Sequence, residues 1–417
     1  MTLDTPLGAS SPKRAKHAAS PLASLRVEVL DDWSAVLGLE REWNALLSDS
    51  SADSLFLRWE WIRCWADVVQ HRIEPRVIAI RDADGDLVGL APFYLCTLRL
   101  GLVIPCRVLR ILGDHPTSAD YPDWIVRRDV ADAASGAIAA ALVSLRTWDL
   151  IWAPRMAGWT GSFDRIVAAC GAAGLRCRTR PQKFASFELP RDKDAYLRSL
   201  SSNKRQQLRA ERNRISRRTG VEIQRCESEA QLSELMHALF ELHGQRWRER
   251  GEAGSFVRDP RKATFYRNFA SLALAKGWLW LYGLREGGEF KAVQFGYVYC
   301  NVYHQMQEGF DTTYLNGAGN VLRARVIEDL IDAGVETYDF LAGMSEHKRR
   351  WMSEVRMGHD LLIGRSTARS RLLFATGVWP TTRAMPERVP RVGGARTERF
   401  DTPRGPTLPR CSTGGVS

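Results

Sequence analysis

The sequence predicts an α/β (α+β) protein of two related domains in tandem. Three observations predict it. Strand-like and helix-like stretches alternate from about Leu25 onward. Three segments recur in the same order in the two halves of the chain. The length, 417 residues, suffices for two or three cored domains, and 45% hydrophobic and 26% charged residues with 14 Trp mark a globular chain rather than a disulfide-stapled, disordered or membrane-embedded one.

Taken in order, residues 1–24, rich in Ser, Ala, Pro and Lys, read as a disordered tail. The first domain is expected over 25–185, with a helix carrying Trp59, Trp61, Ile62 and Trp65, strands at Arg76 to Ile80 and Leu87 to Leu95, and a helix from about Val130 to Leu145. The second domain is expected over 186–364, followed by a basic helix and a disordered tail over 365–417. The repeats relate the two domains. Phe56-Leu57-Arg58 and Phe256-Val257-Arg258 each precede an aromatic-bearing helix, with Trp61 and Trp65 in one and Phe265, Tyr266 and Phe269 in the other. Val77 to Tyr94 and Leu281 to Tyr297 each read as an apolar strand, a Gly-containing turn and a second apolar strand. Thr147-Trp148-Asp149-Leu150-Ile151 and Thr337-Tyr338-Asp339-Phe340-Leu341 each follow an amphipathic helix and read as a buried strand.

The copies differ ahead of one helix. The second has Tyr314-Leu315-Asn316-Gly317-Ala318-Gly319-Asn320 before a helix running to about Ala333, where the first has Arg127-Arg128-Asp129-Val130 and no glycine turn. A helix N-terminus offers free N–H groups and a partial positive charge, and glycines let a phosphate come close. Only the second copy is thus equipped to hold a phosphate-bearing cofactor.

The net charge of +11 is concentrated in the tails. Residues 365–417 hold ten Arg against three acids, residues 1–24 a balance of +2, and the body from 25 to 364 only +2, which does not indicate a basic nucleic-acid-binding fold. Eight Cys without a C-x-x-C pair, and no secretory apolar run near the start, point to reduced thiols and a cytoplasmic protein. No apolar stretch approaches the ~20 residues of a membrane helix. Ser201 to Arg218 holds seven basic residues and one Glu, with Leu197, Leu200, Leu208 and Ile215 as a narrow apolar seam. Its charged face reads either as a solvated surface or as a contact for sugar-nucleotide phosphates, lipid headgroups in peripheral membrane contact, or tRNA.

In the second half, Leu242-His243 with Arg246-Trp247, Gly254-Ser255-Phe256, the strand from Gln294 to Tyr299, Gly309-Phe310-Asp311 with Tyr314, the Gly317-Ala318-Gly319 loop, and Tyr338 to Gly343 followed by Lys348 and Trp351 form a set. With these pieces the chain resembles the GNAT acyltransferase superfamily, in particular its tandem-domain bacterial CelD-like branch of cellulose and exopolysaccharide synthesis, over roughly Leu25 to Gly364. The resemblance implies a mixed, twisted sheet flanked by helices in each domain, splayed to admit the pantetheine arm of acetyl-CoA or another acyl-CoA as co-substrate, with its pyrophosphate on Asn316, Gly317, Ala318, Gly319 and Asn320. Tyr314 departs from the pattern, standing where that loop usually has Gln or Arg. The function implied is N-acyl transfer to an amine on an amino sugar or a cell-envelope or exopolysaccharide precursor. Two alternatives stay open: an aminoacyl-tRNA-dependent transferase of the peptidoglycan-bridge type, which shares a doubled fold, and a non-catalytic binding protein.

Acyl transfer from a thioester to an amine needs the ammonium deprotonated, the oxyanion stabilised and the reactants aligned away from water. Three candidate bases follow. His243, with an ordinary pKa of ~6.5, shares a helix face with Arg246 and Trp247, or is a plain surface histidine. Asp339 sits inside an apolar strand where a carboxylate must be paired or perturbed, and Asp149 at the matching place of the first copy favours a structural role for both. Glu308 lies on a strand leading to the glycine loop, where several GNAT enzymes place a base, or it simply faces solvent. The resemblance adds Arg246, Trp247, Gln294, Lys348 and Trp351 as substrate contacts, Lys348 and Trp351 offering a cation and an aromatic wall to an acidic or sugar substrate. No H-E-x-x-H or other spaced His and Cys set calls for a metal, and no G-x-S-x-G elbow calls for an acyl-enzyme.

Overall fold

The computed structural model describes residues 25–100, 104–377 and 379. The tails expected over 1–24 and from about Pro386 lie outside the described residues.

The first half runs β1 (Arg26–Leu30), α1 (Trp33–Leu37), α2 (Glu40–Ser48), α3 (Trp59–Val69), β2 (Glu74–Arg81), β3 (Leu87–Leu100), β4 (Ile104–Ile111), β5 (Ile125–Val126), α4 (Ala131–Ser144), β6 (Leu150–Ala157), α5 (Ser162–Ala172) and β7 (Arg176–Glu188). Two helices, α6 (Lys193–Ser199) and α7 (Ser202–Ser216), lead to the second half. It runs β8 (Val221–Arg225), α8 (Glu229–Arg248), α9 (Ser255–Arg258), α10 (Pro260–Ala275), β9 (Leu279–Glu286), β10 (Glu289–Tyr299), β11 (Val302–Phe310), α11 (Ala318–Asp332), β12 (Thr337–Ala342), α12 (Glu346–Arg349), β13 (Glu354–Gly364) and α13 (Ala368–Ala375).

Among the described residues thirteen strands form one sheet, in the order β1-β2-β3-β4-β6-β13-β7-β12-β11-β10-β9-β8, with β5 beside β3. The order is a palindrome of the duplication. Each half contributes five strands in sequence and then accepts the last strand of the other: β13 pairs with β6, β7 with β12, and β7 and β13 with each other. The expected boundary between residues 185 and 186 therefore falls inside β7, because the exchanged strands belong to both halves at once. In each half the fourth and fifth strands form a short parallel pair, β4 with β6 and β11 with β12, among otherwise antiparallel neighbours.

Aromatic packing joins the halves through the repeated helices. Trp61 of α3, fully buried, meets Phe56 at 5.0 Å, Phe265 at 4.7 Å and Phe269 at 4.8 Å between ring centroids, so α3 packs on its counterpart α10. Edge-to-face pairs of this kind add about 0.5–1.5 kcal/mol each beyond the area they bury. The same interface carries an ion pair, with Lys276 Nζ 3.0 Å from Glu60 Oε1, and Arg58 on the other carboxylate oxygen and beside it. Helix starts follow local chemistry: Ser228 accepts from Gln231 N ahead of α8, and Asp259 accepts from Arg261 N ahead of α10, whose first residue is Pro260.

Candidate active site

The parallel pairing of β11 with β12 lasts three residues and ends at His304↔Asp339. Beyond that pair the strands part. Asp339 Oδ1 accepts from Leu341 N at 2.8 Å, Leu341 takes φ +63°, and β12 shifts register to continue along β7. β11 stays on β10, with Met306 as an extra residue in its register. A bulge reverses the alternation of side chains. Glu308 thereby turns to α11, while His304 stays on the side of Phe56 and Tyr121, 5.3 and 6.5 Å from its ring.

Beside this opening lies a cavity of about 400 Å³, lined by Glu308, Phe310, the loop from Asn316 to Asn320, Arg323, His347 and Arg350 among others. Gly317 is the N-cap of α11 at φ +102°, and a Cβ there would overlap the carboxyl of Glu211 on α7. That buried carboxylate also accepts the Asn320 side-chain amide at 3.1 Å on both oxygens, fixing the loop. Gly319 differs, since its Cβ would meet only the Phe310 ring at 3.7 Å. The first N–H groups of α11 have no intrahelical partner and face this loop's surroundings.

The polar centre of the cavity is Glu308. It accepts from Arg323 and from Gln305 Nε2 at 3.3 Å, and Arg246 Nη1 lies 3.7 Å from its other oxygen. Burial raises its carboxyl pKa, but Arg323, with Arg246, outweighs burial and holds it below the usual range. His347 lies 2.6 Å from Arg323 Nη1, and burial with that guanidinium pulls its pKa down to about 4, leaving it neutral.

Several residues expected at the site have other work. His243 is 5% exposed on α8 and lines neither this cavity nor the second one described below. Trp247 Nε1 donates to its Nε2 at 3.0 Å, and burial followed by Lys262 and Arg246 lowers its pKa to about 4, which makes it a packed neutral imidazole. Gln294 is buried between the hydroxyls of Tyr303 and Tyr338, at 3.2 and 2.9 Å. Trp351 is fully buried beneath Lys204 and Arg323, whose charges sit 4.1 and 5.2 Å from its ring, so it cannot form an open wall. Lys348 does reach the opening, but as a clamp: its ammonium donates to the carbonyls of Phe340, Leu341, Ala342 and Gly343 at 2.6–3.3 Å. Arg246 borders the site over the Phe310 ring at 4.7 Å, reaching it through Glu308 rather than through Trp247.

Asp339 faces a second cavity, of about 140 Å³. Its Oδ2 accepts from the Tyr121 hydroxyl at 2.6 Å and lies 3.3 Å from His304 Nδ1. Neither partner was legible beforehand: His304 meets Asp339 only through the register of β11 on β12, and Tyr121 comes from a loop of the first half. Among the described residues, no group of three or more His, Cys, Asp or Glu is arranged to hold a metal, and no helix is long and apolar enough to cross a membrane.

Residues 202–349 match the model of the acetyltransferase (GNAT) domain, a span from the start of α7 to the end of α12. No curated protein matches the chain by sequence. Among solved structures, the chain is similar to the crystal structure of FemX at 12% identity and a TM-score of 0.54, over 77% of this chain and 95% of that one. A conserved protein of unknown function from Bacteroides thetaiotaomicron aligns at 12% identity and a TM-score of 0.50, over 82% and 100%. A tandem GNAT protein from the clavulanic acid biosynthesis pathway aligns at 11% identity and a TM-score of 0.45, over 82% and 99%. The domain match falls on the half that carries the splayed strands and the glycine loop, and on that ground the chain carries a GNAT acetyltransferase domain and is an acyltransferase.

Proposed function

We propose that the chain is an acyl-CoA-dependent N-acyltransferase acting on an amine of an amino sugar or of a cell-envelope or exopolysaccharide precursor. The observation that carries this reading is the 400 Å³ cavity at the N-terminus of the fifteen-residue helix α11, with Gly317 in the left-handed region and the cations of Arg323 and Arg350 on its lining. The residues present fit a phosphate-bearing thioester. The N-terminus of α11, where Ala318 N donates to Leu315 O outside the helix, and open space at Gly319 suit a pyrophosphate, and Arg350 adds charge of the right sign. Acyl-CoA, when bound, supplies the acyl group in activated form.

The chain's own residues then divide the work. Glu308, held ionised by Arg323 and Arg246, is a weak proton acceptor and serves to fix those guanidiniums beside the opening. Asp339 with His304 stands where β11 and β12 part, which favours this pair as the acceptor of the amine's proton. A carboxylate beside an imidazole fixes its orientation and balances the imidazolium that forms. The charges of Asp120, Asp339 and Glu308 act on Lys348, and its clamp on four carbonyls from Phe340 to Gly343 holds the segment where β12 has parted from β11.

The cations of α7 are largely committed within the protein. Arg205 donates to the carbonyls of Arg198 and Leu200, Arg212 pairs with Glu328, Arg214 donates to Asn316 O, and Lys204 is buried on Trp351. This supports a small-molecule donor over tRNA. The test is calorimetric titration of the full chain with acetyl-CoA, where binding is expected and no binding contradicts the reading. Aminoacyl-tRNA consumption that is abolished by changing Arg205, Arg209 and Arg212 to Glu would replace it with the tRNA-dependent alternative.

A further inference from the structure

The second cavity is built by both halves. Ser54, Tyr121, Asp123 and Trp159 come from the first, and His304 and Asp339 from the second. It is polar in one sense: Asp53, Asp123 and Asp339 all line it, against the single cation of Arg356, which is itself stacked 3.9 Å from the Trp159 ring. Asp123 is 5% exposed and takes two hydrogen bonds on Oδ1, from the Ser162 hydroxyl at 2.5 Å and Trp124 N at 2.7 Å. Burial pushes its carboxyl up to about 7 with no basic group close enough to reverse the direction. Such a carboxylate, solvated by protein donors on one side, is stabilised further by a cation arriving on the other.

Two buried polar groups on the lining lack hydrogen-bond partners: His304 Nδ1, on a side chain 6% exposed and out of alignment with Asp339, and the Ser54 hydroxyl. Unsatisfied polar atoms in a cavity of this size are what a polar ligand would satisfy. Tyr121 at φ +60° and Cys300 at φ +46° also line it, and Leu341 at φ +63° adjoins Asp339. Left-handed backbone at residues other than Gly is held only where the surroundings enforce it, and it gathers at binding sites. Trp159, 36% exposed and edge-on to Tyr121 at 5.4 Å, forms an apolar wall at the rim.

We propose that this cavity binds the amine-bearing end of the acceptor, and that the acceptor is an amino sugar, its ammonium among Asp123 and Asp339 and its apolar C–H face on Trp159. The inference deepens the acyl-transfer reading by placing its acceptor, yet the binding it asserts does not depend on the donor. Carboxylates select the cation, hydroxyl-bearing Ser54 and Tyr121 suit a polyol, and the aromatic wall suits a ring. Within the reaction, the ammonium's proton passes to the His304 imidazole, leaving the nitrogen its lone pair and the ring a positive charge that Asp339 balances.

Calorimetry on the full chain tests it, with glucosamine as the probe, N-acetylglucosamine as its uncharged counterpart, and CoA titrated in parallel. Glucosamine should bind about ten-fold or more tighter than N-acetylglucosamine, and Asp123→Asn should remove that preference. Trp159→Ala, at the rim where the ring also packs on Tyr121 and Phe184 at 5.4 Å, should weaken glucosamine by about ten-fold while unchanged CoA affinity shows that the fold is kept. Equal binding of the two sugars, or glucosamine binding that survives both substitutions, overturns the proposal. If CoA binds and glucosamine does not, the acceptor assignment falls and the acyl-CoA reading stands; if glucosamine binds as stated and CoA does not, the acceptor cavity stands and the donor reading falls.

Discussion

The two halves share a strand order and differ at one corner. In the second half, the N-terminus of α11 opens onto the 400 Å³ cavity through Gly317. In the first half, the corresponding start of α4 is closed by arginines: Arg127 pairs with Asp82 and Asp129, and Arg128 donates to the carbonyls of Ser48 and Ser50. The fourth strands diverge in the same way. Arg110 on β4 is buried against Asp114 at 2.7 Å and stacks 4.7 Å from Trp152, whereas Glu308 on β11 keeps 24% of its side chain exposed to the cavity. Asp149 and Asp339 occupy matching places, yet Asp149 accepts from Arg107 N within its own half while Asp339 faces a cavity shared by both. One copy has turned its polar groups inward to hold structure, and the other leaves them facing space that a ligand can enter.

The comparison can be broken by exchanging those roles. Asp114→Asn removes the carboxylate 2.7 Å from the buried Arg110 guanidinium, which should cost about 3–5 kcal/mol of stability in urea unfolding. Glu308→Gln takes the carboxylate from the Arg323 guanidinium, itself 2% exposed, so it should destabilise to a similar degree, but it should also reduce acyl transfer, which Asp114→Asn should leave unchanged in the folded protein. If both substitutions reduce transfer equally, the division into a structural and a functional corner is mistaken.

The contact between the halves has its own pH signature. Burial raises the Glu60 carboxyl pKa, but Arg58 and Lys276 outweigh it and hold it at about 2. A carboxyl with a depressed folded-state pKa contributes stability that is present above its ordinary pKa and lost as the pH falls through the folded value. About 3 kcal/mol should therefore disappear between pH 4.5 and 2. Glu60→Gln should flatten that slope, and an unchanged slope would show that the ion pair across α3 and α10 contributes nothing.

The smallest expected effect sharpens the glycine loop. Gly319→Asp finds ordinary space near Phe310, so thermal stability should hold, while CoA affinity should fall by about ten-fold, ~1.4 kcal/mol. Equal CoA affinity in the folded variant refutes the loop assignment.

Sequence alone carried the fold a long way, because the duplicated hairpins and aromatic helices have local patterns: α3, the β2–β3 and β9–β10 hairpins, α4, α7, α11 and β12 lie where periodicity places them. The exchange of β7 and β13 was illegible, since no local pattern says which partner a strand will take. Of the site, the glycine loop and Glu308 come together in one cavity. His243, Gln294 and Trp351 are the residue types of a site set into a core, and burial is a tertiary property that motif spacing does not encode. The bulge at Met306 hid the separation of His304 from Glu308, and Tyr121, Asp123 and Trp159 reach the second cavity from the other half of the duplication, more than a hundred residues away in sequence.

The central claim is that one copy of the duplication retains a donor site and the other has closed its own. Calorimetric titration of the full chain with CoA measures this most directly. The account predicts saturation at one CoA per chain, with affinity reduced by Gly319→Asp. Two CoA per chain, or one that is insensitive to Gly319→Asp, would contradict it.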